Sequence, residues 1–157
     1  MKARRKARTL ALQALYEIDC TSHAAEQVLA ERLDDERQED ERLDRPPLDD
    51  ETGRFAQRIV HGVLAHGARL DQLIHQHAPE WPLDQMAVVD RNILRMAIWE
   101  FAVDRSTPIK VAINEAVELA KQFGSDSAPR FVNGVLGALA AIENELVRAL
   151  ASPSQSQ

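Results

Sequence analysis

The chain has 157 residues, 45% apolar but only 4% aromatic, which suffices for one domain or two small subdomains with a real core. Its one cysteine, Cys20, excludes an intramolecular disulfide and a cysteine-based metal knuckle, and suits a reducing compartment. The net charge of −6 argues at first against a nucleic-acid partner, but the charge is unevenly distributed. Residues 31–51 hold 11 acids and four arginines, a net −7, which leaves about +1 for the rest. Residues 1–10 carry five Lys/Arg and no acid. No apolar run approaches the roughly 20 residues that span a bilayer, and no signal-like apolar segment follows the N-terminus, so a cytoplasmic protein with no membrane role is expected.

The opening MKARRKAR supplies Lys2, Arg4, Arg5, Lys6 and Arg8. Ala7, Ala11, Ala14 and Ile18 then fall on one helical face, flanked by Leu10 and Leu15, which predicts a first helix from about Ala3 to Cys20. Cations at a helix N-terminus oppose the helix dipole by roughly 0.3–1 kcal/mol each. A helix that tolerates several of them is expected to use them, most simply on phosphates. A solubilising terminus or a transit peptide is the alternative, but the apolar face runs straight on into a core that includes Tyr16. A short second helix is predicted over about Ala24 to Leu33, with Val28 and Leu29 inward. The acidic segment 34–50 has almost no apolar anchors and contains Pro46-Pro47, so it reads as a mobile, solvated loop or frayed helix end.

Asp49 or Asp50 caps a third helix that runs to about His77 on the stripe Phe55, Ile59, Val63, Leu70 and Ile74. Gly62 and Gly67 inside it each cost about 1 kcal/mol relative to alanine, which points to close helix approach. His61, His66, His75 and His77 share this helix at spacings that do not converge on a metal, so they read as surface residues. Ala78-Pro79 and Trp81-Pro82 end the helix and set a boundary at 78–82 between an N-terminal subdomain (1–78) and a C-terminal one (79–150). The next helix, from Asp84 or Val88 to Val103, is apolar on most sides and reads as a central strut, with Asp90, Arg91 and Arg95 as exceptions and Arg95–Glu100 as a candidate ion pair.

Ser106-Thr107-Pro108 stops the chain and starts a helix whose face is Ala112, Ala116, Leu119, Ala120 and Phe123. Gly124 stands where a left-handed residue would end it, and Ser125 or Ser127 can cap the following helix. There, Val132, Val135, Leu139, Ile142, Leu146 and Leu150 form one stripe to the last helix end, and residues 151–157 read as a disordered tail. Asn114 and Asn133 read as makers of structural hydrogen bonds. Long apolar periodicities of this kind, with few alternating β-branched runs, make the fold all-α.

No GxSxG, Walker loop or GxGxxG occurs, and Glu115 and Glu118 lie on a polar helix stripe, so neither an enzyme nor a cofactor is expected. Binding is better supported: unpaired bases take an aromatic beside a cation. Arg130-Phe131 offers that pairing, with Lys121 and Phe123 one hinge away. Phe123 reads as core, whereas Phe131 is offset from the stripe begun by Val132 and serves either as core or as a stacking platform.

The segments ARRKARTLALQALYEID, DRNILRMAIWEF and KVAINEAVELAKQFGSDSAPRFVNGVLGAL, in this order, closely resemble the NusB family of bacterial transcription antitermination factors. The resemblance covers nearly the whole chain; segment 34–50 is the least typical part. It implies about seven helices, arranged as two three-helix bundles packed across each other. It implies binding of boxA-type single-stranded RNA from rRNA leaders, a small-subunit ribosomal protein (NusE) as partner, and work within an antitermination complex on RNA polymerase with no enzymatic step. By position, Arg4, Arg5, Lys6 and Arg8 match the arginine-rich motif, Phe131 an RNA-contacting aromatic, and Tyr16 and Asp90 contacts to the ribosomal protein. Arg95, in the ILR pattern, is a further RNA candidate with Lys121 and Arg130. The hinge Ser125-Asp126-Ser127-Ala128-Pro129 departs from the family's acidic residue followed by serine.

Three rivals remain in view. A DNA-binding helical protein lacks a helix-turn-helix signature here. An accessory domain of an rRNA methyltransferase would need a catalytic domain that is not found within these 157 residues. A homodimer occluding the RNA face is the third.

Overall fold

The computed structural model describes residues 2–80 and 83–151, with seven α-helices and no strand among the described residues. The all-α expectation holds. Trp81, Pro82 and tail residues 152–157 lie outside the described residues. The chain forms two compact units, Met1–His61 and Gly62–Gln157, a division that passes through α3 (Asp50–His77).

In the first unit, α1 (Lys2–Cys20) buries Ala7, Leu10, Ala11, Ala14 and Leu15, as its spacing requires, and packs on α2 (Ala25–Arg42). Here the structure corrects the sequence reading. The helix does not stop near Leu33 but runs to Arg42, about two and a half turns further into the acidic segment expected to be a loop or frayed end. Leu33 and Asp40 are buried, and Gln38 donates to Asp34 one turn back (3.2 Å). The helix then closes on Asp44 in the left-handed region (φ 54°): the amides of Asp44 and Arg45 return to the carbonyls of Glu41 (3.2 Å) and Asp40 (2.8 Å). The Arg45 guanidinium then reaches back to Asp40 (2.9 Å) and Glu36 (3.4 Å). Capping and ion pairs thus supply what apolar anchors do not.

Of the two candidate caps for α3, Asp49 does the work: its Oδ1 accepts the Thr52 amide at 2.7 Å. That bond holds the Asp49 carboxyl below the usual carboxylate range. Phe55, Ala56, Ile59 and Val60 are buried in the first unit, and Val63, Leu70, Leu73 and Ile74 in the second. His61 pairs with Glu26 (2.7 Å), and His66 donates its Nδ1–H to the Gly62 carbonyl (2.9 Å). Gly62 is a true close approach, since a Cβ there would lie 2.0 Å from Trp99 Nε1. Gly67 is not: nothing lies within 4 Å of its missing Cβ.

A short 3₁₀ turn (Leu83–Gln85) precedes α4 (Val88–Ile98). The strut expected to be one helix then widens into a π-helical segment, Trp99–Asp104, in which Trp99, Glu100, Phe101 and Ala102 are buried. Arg105 in the left-handed region (φ 61°) ends it, its amide bonding the Glu100 carbonyl at 2.8 Å. Helix α5 (Ile109–Phe123) follows Pro108 and packs against α4 and, most extensively, against α6 (Ala128–Ala140). The single last helix expected from the stripe is in fact two: a turn at Ala141-Ile142 separates α6 from α7 (Glu143–Ala151). Val132, Val135 and Leu139 are buried from α6, and Leu146 and Leu150 from α7, so the stripe is continuous although the helix is not. A buried side chain of this size contributes about 1.5–3 kcal/mol.

The hinge also differs from expectation. Gly124 has φ −94° and ψ −178°, an extended conformation open to any residue, so it is no left-handed cap. What it needs is space: a Cβ would lie 2.6 Å from the Ala128 Cβ, 2.9 Å from the Ala120 carbonyl and 3.2 Å from Asp90 Oδ1. Ser127 occupies the cap position of α6, but its side chain caps no backbone group; its Oγ lies 3.4 Å from Ser125 Oγ.

Candidate nucleic-acid interface

In the first unit the basic start of α1 is helical, so Arg4 and Arg8 stand one turn apart, as do Arg5 and Thr9, whose hydroxyl donates to the Arg5 carbonyl (3.2 Å). The Phe55 ring, itself 1% exposed, gathers guanidiniums around it. Arg4 lies 4.1 Å from the ring centroid, Arg58 5.1 Å and Arg8 5.6 Å. Cations at these distances are attracted by the ring quadrupole. Arg8 is 2% exposed and acts from beneath the surface, Arg4 is half-buried and Arg5 is exposed. Lys6 points elsewhere, with its Nζ 2.5 Å from Glu36 Oε2 on the unexpected extension of α2. Tyr16, on the same helix and expected in the core, is instead among the few large apolar side chains left exposed, at 45%.

In the second unit Arg130 and Phe131 share a cavity of about 610 Å³ with Gln85, Met86, Ala87 and Asp90. Arg130 is exposed and Phe131 half-buried, which suits a ring presented to a ligand better than one sealed in the core. Asp90 Oδ1 is buried with no hydrogen-bond partner among the described residues, and burial pushes its carboxyl above the usual range. A partner carrying a cation or an N–H donor is what such a group lacks. Residues 85–87 were missed in the sequence because they are irregular and carry no period.

Two other predicted residues stand apart from the cavity lining. Arg95 forks onto Asp71, Nε to Oδ1 and Nη2 to Oδ2, both at 2.7 Å, and its Nη1 donates to Asn92 Oδ1 at 3.1 Å. Bidentate geometry of this kind fixes α4 to α3 within the unit. Lys121 is exposed and pairs with Glu118 at 3.1 Å, a surface contact that a phosphate can replace at little cost. Asn114 and Asn133, expected to make structural hydrogen bonds, are exposed.

The model of the NusB family matches residues 5–141. The transcription antitermination protein NusB of Roseiflexus sp. (strain RS-1) is 49% identical over 136 residues, 85% of this chain and 89% of that protein. NusB of T. maritima has a similar solved structure, with a TM-score of 0.73 at 30% identity, covering 92% of this chain and 90% of that one. A crystal structure of the antitermination factors NusB and NusE in complex with dsRNA is also similar, with a TM-score of 0.74 at 25% identity, covering 90% and 98%. No helix among the described residues is long and apolar enough to cross a membrane. With its family model matched from Arg5 of α1 through α6, the chain belongs to the NusB family.

Proposed function

We propose that the chain is an RNA-binding transcription antitermination factor. It holds boxA-type single-stranded RNA of rRNA leaders together with a NusE-type small-subunit ribosomal protein and prevents premature termination by RNA polymerase. It acts in the cytoplasm as a binding factor, not as an enzyme. The observation that carries this reading is family membership over residues 5–141, joined to an α1 whose first acid is Glu17.

The roles divide by chemistry. Arg4 and Arg5 neutralise phosphates, Lys6 joins them on exchanging Glu36 for a phosphate, and Arg8 holds the cluster from below. Phe131 stacks a base with Arg130 beside it and Lys121 adds positive charge, whereas Arg95, proposed from the sequence as an RNA contact, is committed to Asp71 and positions α4 instead. Tyr16 supplies an exposed ring, and Asp90 an unsatisfied carboxylate, to the ribosomal protein. Assembly on RNA polymerase belongs to the same proposal, and a homodimer is the competing resting state. The test is a titration of boxA-like single-stranded RNA with and without the ribosomal protein, followed by light scattering. Tighter RNA binding with the partner and a 1:1 protein heterodimer are expected. A tight homodimer that the partner cannot open, or RNA affinity indifferent to the partner, would reject the reading.

A further inference from the structure

The acidic extension of α2 reaches the basic start of the chain through one carboxylate. Glu36 Oε2 lies 2.5 Å from Lys6 Nζ and 3.4 Å from Arg45 Nη2, so a single oxygen faces cations on two sides. The Glu36 side chain is 15% exposed, against 37% for Lys6 and 42% for Arg45. A carboxylate held that far out of water is costly to leave without a cation. Lys6 can therefore depart for a phosphate at low cost only if something else holds Glu36. Arg45 is placed to do so. It follows the left-handed Asp44 that closes α2, its amide is tied to the Asp40 carbonyl at 2.8 Å, and its guanidinium rests on the buried Asp40 carboxylate at 2.9 Å. From that anchor, a shift of about half an ångström brings the 3.4 Å contact with Glu36 to the length of a full charge-assisted hydrogen bond. Lys6, Glu36, Arg45 and Asp40 thus form a row of alternating charge from α1 to the end of α2.

We propose that this row is a carboxylate relay that couples RNA binding to the end of α2. Without RNA, Glu36 occupies Lys6 as an internal substitute for phosphate. When a phosphate takes Lys6, Glu36 closes onto Arg45, and the shortened contact tightens residues 42–45. The proposal rests on the RNA-binding reading above and adds two things to it. One is a built-in restraint on a cation of α1, imposed by the acidic extension. The other is a residue, Arg45, that governs the release of that cation without touching RNA. Such coupling is reciprocal: order at the end of α2 favours RNA, and RNA favours order at the end of α2.

The test titrates boxA-like single-stranded RNA against the full chain and the variants Glu36→Gln, Arg45→Gln and the two combined, with a thermal melt of each. Arg45→Gln should weaken binding a few-fold while Glu36 is present, because Glu36 then has only Lys6 to hold. In the Glu36→Gln background the same substitution should change affinity little, a non-additivity that marks the relay. An equal loss in both backgrounds would show Arg45 acting as one more positive charge and overturn the proposal, as would no loss in either. Because Arg45→Gln also strips Asp40 of its cation, amide hydrogen exchange on the unaltered chain gives a second measurement. Saturating RNA should slow exchange of the Arg45 amide several-fold, and unchanged or faster exchange would overturn the relay. Arg5→Ala is the reference for the α1 face. If it weakens binding while the Arg45 and Glu36 substitutions simply add, the relay fails and the RNA-binding reading stands. If the unaltered chain shows no salt-dependent RNA binding, both fall together.

Discussion

Gly62 and Gly67 give the same signal in sequence, a glycine inside a long helix, and opposite outcomes in structure. At Gly62 an added Cβ would sit 2.0, 2.3 and 2.8 Å from Nε1, Cε2 and Cδ1 of Trp99, against an ordinary contact of about 3.5–4 Å. The indole is 5% exposed at the start of the π-helical segment, so it has little room to retreat. Overpacking of this kind costs about 1–3 kcal/mol or more, and the better helix propensity of alanine returns only about 1. With contacts this short the cost lies at the upper end, about 3 kcal/mol, and Gly62→Ala should therefore lose about 2 kcal/mol net. For a chain of this length that lowers Tm by about 4–8 °C. Gly67→Ala meets nothing within 4 Å and keeps only the propensity gain, so its Tm should rise by about 2–4 °C. Circular-dichroism melts of the two variants beside wild type measure both. A Gly62→Ala protein as stable as wild type would refute the packing argument, and a destabilised Gly67→Ala would refute the claim that its surroundings are open.

Three further outcomes follow from the sites. Asp90 has a raised carboxyl pKa, so its contribution to stability is fully present below the ordinary Asp value of about 3.9 and is lost as pH rises through the folded value. Asp90→Asn should thus be at least as stable as wild type at pH 7, with the difference shrinking as pH falls, yet bind the ribosomal protein more weakly; a clear loss of stability at pH 7 would contradict the burial argument. Glu36→Gln should release Lys6 and raise RNA affinity a few-fold at low salt, fading towards 1 M salt, where the Debye length is about 3 Å. Equal or weaker binding at every salt concentration would remove Lys6 from the RNA face. Phe131→Ala should cost about 1–3 kcal/mol of RNA affinity with the salt slope unchanged, and a variant that fails to fold would show the ring to be core.

Periodicity made most of the fold legible. The stripes of α1, α3, α5 and α6 are buried where the spacing places them, except at the helix ends, where Ile18 of α1 and Phe123 of α5 are only half-buried. It failed where apolar spacing was not the cause of structure. The extension of α2 rests on the left-handed Asp44 and on Arg45 reaching back to Asp40, contacts that no period reveals. The turn at Ala141-Ile142 interrupts a helix without interrupting its stripe. Gly124 looked like a conformational requirement and is a spatial one, set by Ala128 and Asp90, distant in sequence from one another. In the candidate sites, the basic run of α1 and the Arg130-Phe131 pair could be named from sequence. Arg58 could not, because one arginine on a long helix has no meaning until Phe55 brings it beside Arg4. The irregular Gln85–Ala87 wall of the cavity likewise carried no signal.

The most direct test of the central claim is the salt dependence of boxA-like single-stranded RNA binding by the full chain and by the double variant Arg4→Ala/Arg5→Ala, with duplex DNA as competitor. The account predicts that RNA is preferred and that the double variant loses affinity with a slope smaller by about 1.4, two single-strand phosphates. Equal or tighter binding of duplex DNA, or a slope that does not change, would contradict it.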